Sequence, residues 1–167
     1  YGNVLVDNGD FAAGIAHLDQ ARLLDPALVA LQVDLAWARW SAGDEAQGLA
    51  QMRSLAAAHP QLATIHDYLA GMALAQGDLA GFLKATTDLA RVSQDTAGQE
   101  QARRLAAALD QSEAAMVDLL LAETVAEASY GDRGELVWPV YIAGMVGQRA
   151  DLLRLLEMAD QRKEVWG

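Results

Sequence analysis

The sequence predicts an all-α fold, an α-α superhelix assembled from helix–turn–helix repeats. Three observations carry this. Glycine–aspartate pairs recur every 34 residues, at Gly9-Asp10, Gly43-Asp44 and Gly77-Asp78. Pro26 and Pro60 keep the same interval, as do Gly14 with Gly48, Leu35 with Leu69 and Ala36 with Ala70. The composition is that of a helical chain, with 3 prolines in 167 residues, abundant alanine and few β-branched residues. A period of this length is that of a two-helix unit that buries its apolar face only by stacking on its neighbours.

Each unit reads alike. The glycine ends the first helix in a left-handed backbone conformation. The aspartate then caps the second, its carboxylate accepting from free backbone N–H groups. Pro26 and Pro60 stop the second helices, because proline in a helix interior costs about 3 kcal/mol. One domain is expected, with a partial repeat at about 1–28, full repeats at 29–62 and 63–96, an atypical helix pair at 97–130 and a degenerate final pair at 135–164. Helices are expected at about 1–8, 11–24, 28–42, 45–58, 62–76, 79–93, 96–109, 112–129, 136–147 and 149–163. Asp44 with Gln47, and Thr96 with Gln99, have the spacing of capping boxes. Late in the chain the register slips, since Gly147 lies 70 residues after Gly77 rather than 68. Residues 130–134 read as a loop, and Pro139 biases Trp138 away from helical geometry. Gly14 and Gly48 fall inside helices, where glycine costs about 1 kcal/mol relative to alanine. A repeated cost points to a repeated close approach, here to the facing Gly2 and Ala36. The chain starts in mid-repeat and is expected to be a fragment of a larger, bacterial protein.

Charge and composition narrow the function. The formal net charge is −11, from 23 acidic and 12 basic residues. Nucleic-acid surfaces need clustered cations to displace counterions, and only Arg103-Arg104 are adjacent. Direct nucleic-acid binding is not expected, and anionic membrane surfaces are disfavoured for the same reason. No apolar run approaches the roughly 20 residues of a bilayer span, so no membrane insertion is expected. The absence of cysteine removes disulfide, zinc–thiolate and thiol chemistry and leaves cytoplasmic and periplasmic locations open.

Catalytic signatures are missing. His17, His59 and His66 do not pair at helical spacing and read as surface or half-buried residues, so neither a metal nor a cofactor is expected. There is no G-x-S-x-G elbow around any serine and no glycine-rich phosphate loop. Glu123 and Glu127 read as a solvated helix face. The chain is not expected to be an enzyme.

The repeats resemble the tetratricopeptide repeat. Gly2, Ala36 and Ala70 fill that family's small eighth position, and Gly14 and Gly48 its small twentieth. Leu18 and Met52 fill the twenty-fourth, and Ala21, Leu55 and Leu89 the twenty-seventh. Asp25-Pro26 is the family's usual ending, with His59-Pro60 as a variant. Two departures stand out: Phe82 at the twentieth position, which suggests a rotated or splayed second helix in the third repeat, and Arg39 in place of a bulky residue. More loosely, the layout is similar to the C-terminal repeat regions of bacterial one-component regulators.

The resemblance implies a right-handed solenoid whose first helices line a concave groove that holds a peptide. The candidate groove residues are Asn3, Val6 and Asp7 in the first repeat, Val33, Trp37 and Trp40 in the second, and Asp67, Gly71 and Leu74 in the third. Val29, Val33, Trp37 and Trp40 form an apolar stripe at helical spacing, which serves equally as a groove floor or as a lateral contact between stacked helices. Aromatic floor and acidic flanks suit an apolar or basic peptide. Carboxylate-clamp recognition is not expected, because Trp37, Gly71 and Asp67 stand where basic groups would be needed and only Asn3 fits. The expected partner is a protein or peptide. A ligand-sensing arm of a transcription regulator and self-association into a homo-oligomer are the alternatives.

Overall fold

The computed structural model describes residues 2–129 and 136–162. The expected loop at 130–134 and the side chain of Glu127 lie outside the described residues. Among the described residues there are ten α-helices and no strand: α1 Gly2–Asp7, α2 Phe11–Leu24, α3 Val29–Ser41, α4 Glu45–Ala58, α5 Ala63–Ala75, α6 Leu79–Val92, α7 Thr96–Leu109, α8 Glu113–Ser129, α9 Val137–Met145 and α10 Arg149–Arg162. Each helix packs on the next in sequence, and beyond neighbours α1 meets α3 and α5 meets α9. None of these helices is long and apolar enough to cross a membrane.

The turns that punctuate the chain share one geometry. Gly9, Gly43, Gly77 and Gly147 all have positive φ, between 71° and 97°. In each case the residue after the glycine donates its N–H back to a carbonyl five positions earlier, as Asp10 does to Leu5 at 2.8 Å and Asp78 to Ala73 at 2.9 Å. This closes the last turn and satisfies carbonyls that a helix end leaves free. Gln94 adopts the same conformation with φ 55°, and Asp95 bonds Ala90 at 2.9 Å. The atypical pair thus begins with a non-glycine version of this turn, at the junction where earlier repeats use proline.

Side-chain capping is less regular than the aspartates suggest. Asp10 accepts from Ala13 N at 3.2 Å and Asp78 from Gly81 N at 2.8 Å. Asp44 makes no such bond, so the box expected with Gln47 does not form; both residues are exposed, and water solvates the free donors instead. The Thr96–Gln99 box is also absent. The Asp95 turn shifts the cap one residue earlier, Thr96 becomes the first helical residue, and Gln99 reaches back to Ala90 O at 3.4 Å. Pro139 is accommodated in the first turn of α9, where a missing N–H leaves no helical bond unmade.

The core is divided along the array. One cluster, with Val6, Leu18, Leu31 and Leu35, joins α1 to α3. A second, with Val33, Ala36, Met52, Ile65 and Met72, joins α3 to α5. A third, with Leu74, Phe82, Leu105, Met116, Leu136 and Leu155, runs from α5 to α10. Contacts of this nearest-neighbour kind suit stacked units. Phe82 is buried in the third cluster beside Ala70 and Ala73, and α6 packs along α5, so the third pair is not splayed. Arg39 ties three helices together, donating to Asp19 of α2 at 3.3 Å and to Gln51 of α4 at 3.0 Å.

The close approach expected at the in-helix glycines is present. A Cβ on Gly14 would lie 2.6 Å from Val6 Cγ2 and 3.0 Å from Gly2 O. A Cβ on Gly48 would lie 2.6 Å from Trp40 Cβ and 2.7 Å from Ala36 O. Protein interiors are close-packed, and neither site has room for a methyl group.

Candidate functional site

The described residues enclose a cavity of about 420 Å³ between α3, α5, α6 and α9. Its wall on one side is an aromatic stack. Trp37 lies against Trp40 with ring centroids 5.2 Å apart and planes 21° apart. Trp37 also contacts Tyr68 of α5 at 4.9 Å and 30°. Offset aromatic pairs of this kind are favourable beyond the area they bury. On the opposite side α9 contributes Trp138 and Tyr141, in an edge-to-face pair at 5.8 Å and 88°. Between the two walls lie Asp67, Gly71 and Leu74 of α5 and Phe82, Thr86 and Leu89 of α6.

The nine candidate residues divide by this geometry. Trp37, Asp67, Gly71 and Leu74 line the cavity, Leu74 at its buried base. Trp40 is half-buried behind Trp37, and its indole N–H is buried without a hydrogen-bond partner. Val33 and Val6 are buried in the second and first core clusters. Asn3 and Asp7 are exposed on α1, where Asn3 donates to Asp34 of α3 at 2.9 Å. Trp37 therefore does two things at once: it packs laterally between first helices and presents a face to the cavity.

Gly71 is the counterpart of Gly48. A Cβ on Gly71 would have no neighbour within 4 Å, so the space in front of it is cavity rather than packing. Thr86 lines the wall but turns its hydroxyl to its own helix, donating to Phe82 O at 3.0 Å.

The electrostatics are one-sided. No Lys, Arg or His is among the described residues that line the cavity. Asp67 makes no hydrogen bond or ion pair among the described residues, and burial raises its pKa above the ordinary 3.8. Tyr68 is raised above 10.0, first by burial and then by the negative charges of Asp34, Asp67 and Asp7. The tyrosine hydroxyl thus senses an acidic field spread over α1, α3 and α5.

Sequence reasoning missed Tyr68, Phe82, Thr86 and Leu89, and the whole contribution of α9. A signal for α9 was available. Trp138 and Tyr141 lie 70 residues after Tyr68 and Gly71, the same interval that separates Gly147 from Gly77. They occupy repeat-equivalent positions once the slip in register is carried through.

His66 differs from the expectation of a surface or half-buried residue. It is 5 % exposed, and its Nε2 lies 2.9 Å from Pro60 O. A carbonyl can only accept, so that nitrogen carries the proton and pins the α4–α5 turn. His17 and His59 are exposed. Among the described residues no group of three or more His, Asp or Glu side chains could hold a metal ion.

No family model, curated protein or solved structure matches the chain.

Proposed function

We propose that this chain is a non-catalytic interaction module, a tetratricopeptide-like right-handed solenoid that holds a peptide segment of a partner protein in its concave groove. The 34-residue spacing of the turn glycines and the tight Gly14 and Gly48 crossings support the repeat assignment. The observation that carries the function is the cavity itself: separate helices converge aromatic side chains on one space, and Gly71 keeps it empty. Ligand sites have this character, concave and largely apolar with few polar groups. The reactive groups are poor material for catalysis, because Asp67 has no base or nucleophile bonded to it and the Thr86 hydroxyl is engaged by its own helix.

Peptide display against the folded chain tests this. Selected peptides should quench tryptophan fluorescence, and Gly71→Leu, which fills the cavity, should abolish binding without lowering the melting temperature. Undiminished binding to Gly71→Leu would overturn the assignment. A second reading, a sensory arm that takes a small molecule, is favoured by the volume of about 420 Å³, which falls within the range of small-ligand sites. Saturable quenching by a small-molecule library with no peptide capture would select it.

A further inference from the structure

The groove reading leaves open what chemistry the peptide brings, and the walls of the cavity answer that. Trp37 and Tyr68 face it from one side and Trp138 and Tyr141 from the other, with the Asp67 carboxylate between. We infer that the cavity takes a cationic side chain, a lysine or arginine flanked by apolar residues in a peptide segment. The inference rests on the peptide-groove reading above.

Four facts support it. First, Trp138 is 62 % and Tyr141 40 % exposed, so rings that could be covered by their own fold are left open. Aromatic faces carry negative potential and attract ammonium and guanidinium groups within about 6 Å. Second, Asp67 is a carboxylate on an apolar wall with no counter-ion among the described residues. A desolvated, unpaired charge is unfavourable by itself and gains most from a ligand of opposite sign. Third, none of the described basic residues lines the cavity; Arg39, the basic residue on α3, is engaged by Asp19 and Gln51. Nothing described there competes for the carboxylate. Fourth, the acidic field is extended, since Tyr68 feels Asp34 and Asp7 as well as Asp67. Those groups lie along successive first helices, which suits a chain laid across them better than a single small ion. The net charge of −11 adds long-range attraction for a basic segment.

The test uses blocked peptide pools, acetyl-X-X-Lys-X-X-amide, where X is Ala, Leu or Phe. Pools with norleucine or glutamate at the centre differ only in charge. Each is titrated into the whole chain by calorimetry and tryptophan fluorescence. The lysine pool should bind about tenfold more tightly than the norleucine pool, and added sodium chloride should narrow that gap. Asp67→Asn should remove the preference while leaving norleucine binding unchanged; Asp67 is exposed, so the fold should tolerate the change. Trp138→Ala, at the most open of these rings, should weaken the lysine pool more than the norleucine pool. Equal binding of lysine and norleucine pools would overturn the cationic inference and leave the groove reading standing. Tighter binding of the glutamate pool would also overturn it. If no pool binds, the groove reading fails and this inference fails with it.

Discussion

Two glycines inside helices make opposite demands, and substituting each by alanine separates them. Alanine at Gly48 should gain about 1 kcal/mol of helix propensity. Against that, the new methyl group would meet Trp40 Cβ at 2.6 Å, Ala36 O at 2.7 Å and Trp40 N at 2.8 Å. Two of these are backbone atoms and the third is the rigid root of a side chain, so no flexible tip can swing away. Carbon contacts normally begin near 3.5 Å, and α3 and α4 would have to separate by several tenths of an ångström along their whole interface. Overpacking costs about 1–3 kcal/mol, and this geometry belongs at or above the upper end. The net effect should be a loss of about 2 kcal/mol, which for a domain of this size lowers the melting temperature by about 4–8 °C. Thermal and urea denaturation followed by circular dichroism measure both quantities. An unchanged or raised stability for Gly48→Ala would refute the argument that backbone contact dictates glycine at that position.

Other consequences follow from the same geometry. Gly71→Ala has open space before it and should stabilise by about 0.5–1 kcal/mol through helix propensity alone; a loss of stability would mean that the cavity wall is packed. Trp37→Ala should cost about 1–3 kcal/mol, less than the 3–5 of a fully enclosed aromatic, because the ring is only half-buried; a larger loss with peptide binding intact would make it purely a core residue. Asp67 has a raised pKa from burial, so its ionised form opposes folding above the folded pKa, and the penalty disappears as pH falls below the unfolded value of 3.8. Asp67→Asn should therefore be the more stable protein at neutral pH, with the two converging in acid, as urea midpoints across pH would show. Tyr68 should titrate above 10.0, and Asp34→Asn should bring it down; an ultraviolet pH titration that shows no downward shift would remove Asp34 from the acidic field.

The helices were legible because their stops are local. A glycine at positive φ or a proline ends a helix whatever surrounds it, so the expected boundaries at Gly9, Gly43, Gly77, Pro26 and Pro60 fall within a residue or two of those observed. Gly48 was legible for a related reason: an unfavourable residue repeated at a fixed interval needs a spatial cause. The caps at Asp44 and Thr96 were not, because a side-chain bond depends on fractions of an ångström at an exposed turn and on where the preceding turn ends. Nor was the burial of His66, which depends on which face of α5 meets the turn at Pro60.

The cavity shows where periodic reasoning stops and tertiary closure starts. Trp37, Gly71 and Tyr141 are one repeat position seen three times, the last displaced by the two-residue slip that also moves Gly147. On a helix two residues are a rotation of about 200°, so ignoring the slip points α9 the wrong way and hides both of its aromatics. Carrying it through places large rings at the two flanking positions and a glycine at the middle one. A large side chain at position 71 would fill the space that Trp37 and Tyr141 border, and the contact of α5 with α9 would then close over a solid wall. The empty volume thus follows from a single small residue between two large ones. Gly71 sits in a helix interior without the close approach that explains Gly48. Its helix-propensity cost therefore has no packing rationale, and the space it keeps open in front of Asp67 and Tyr68 is the remaining physical one.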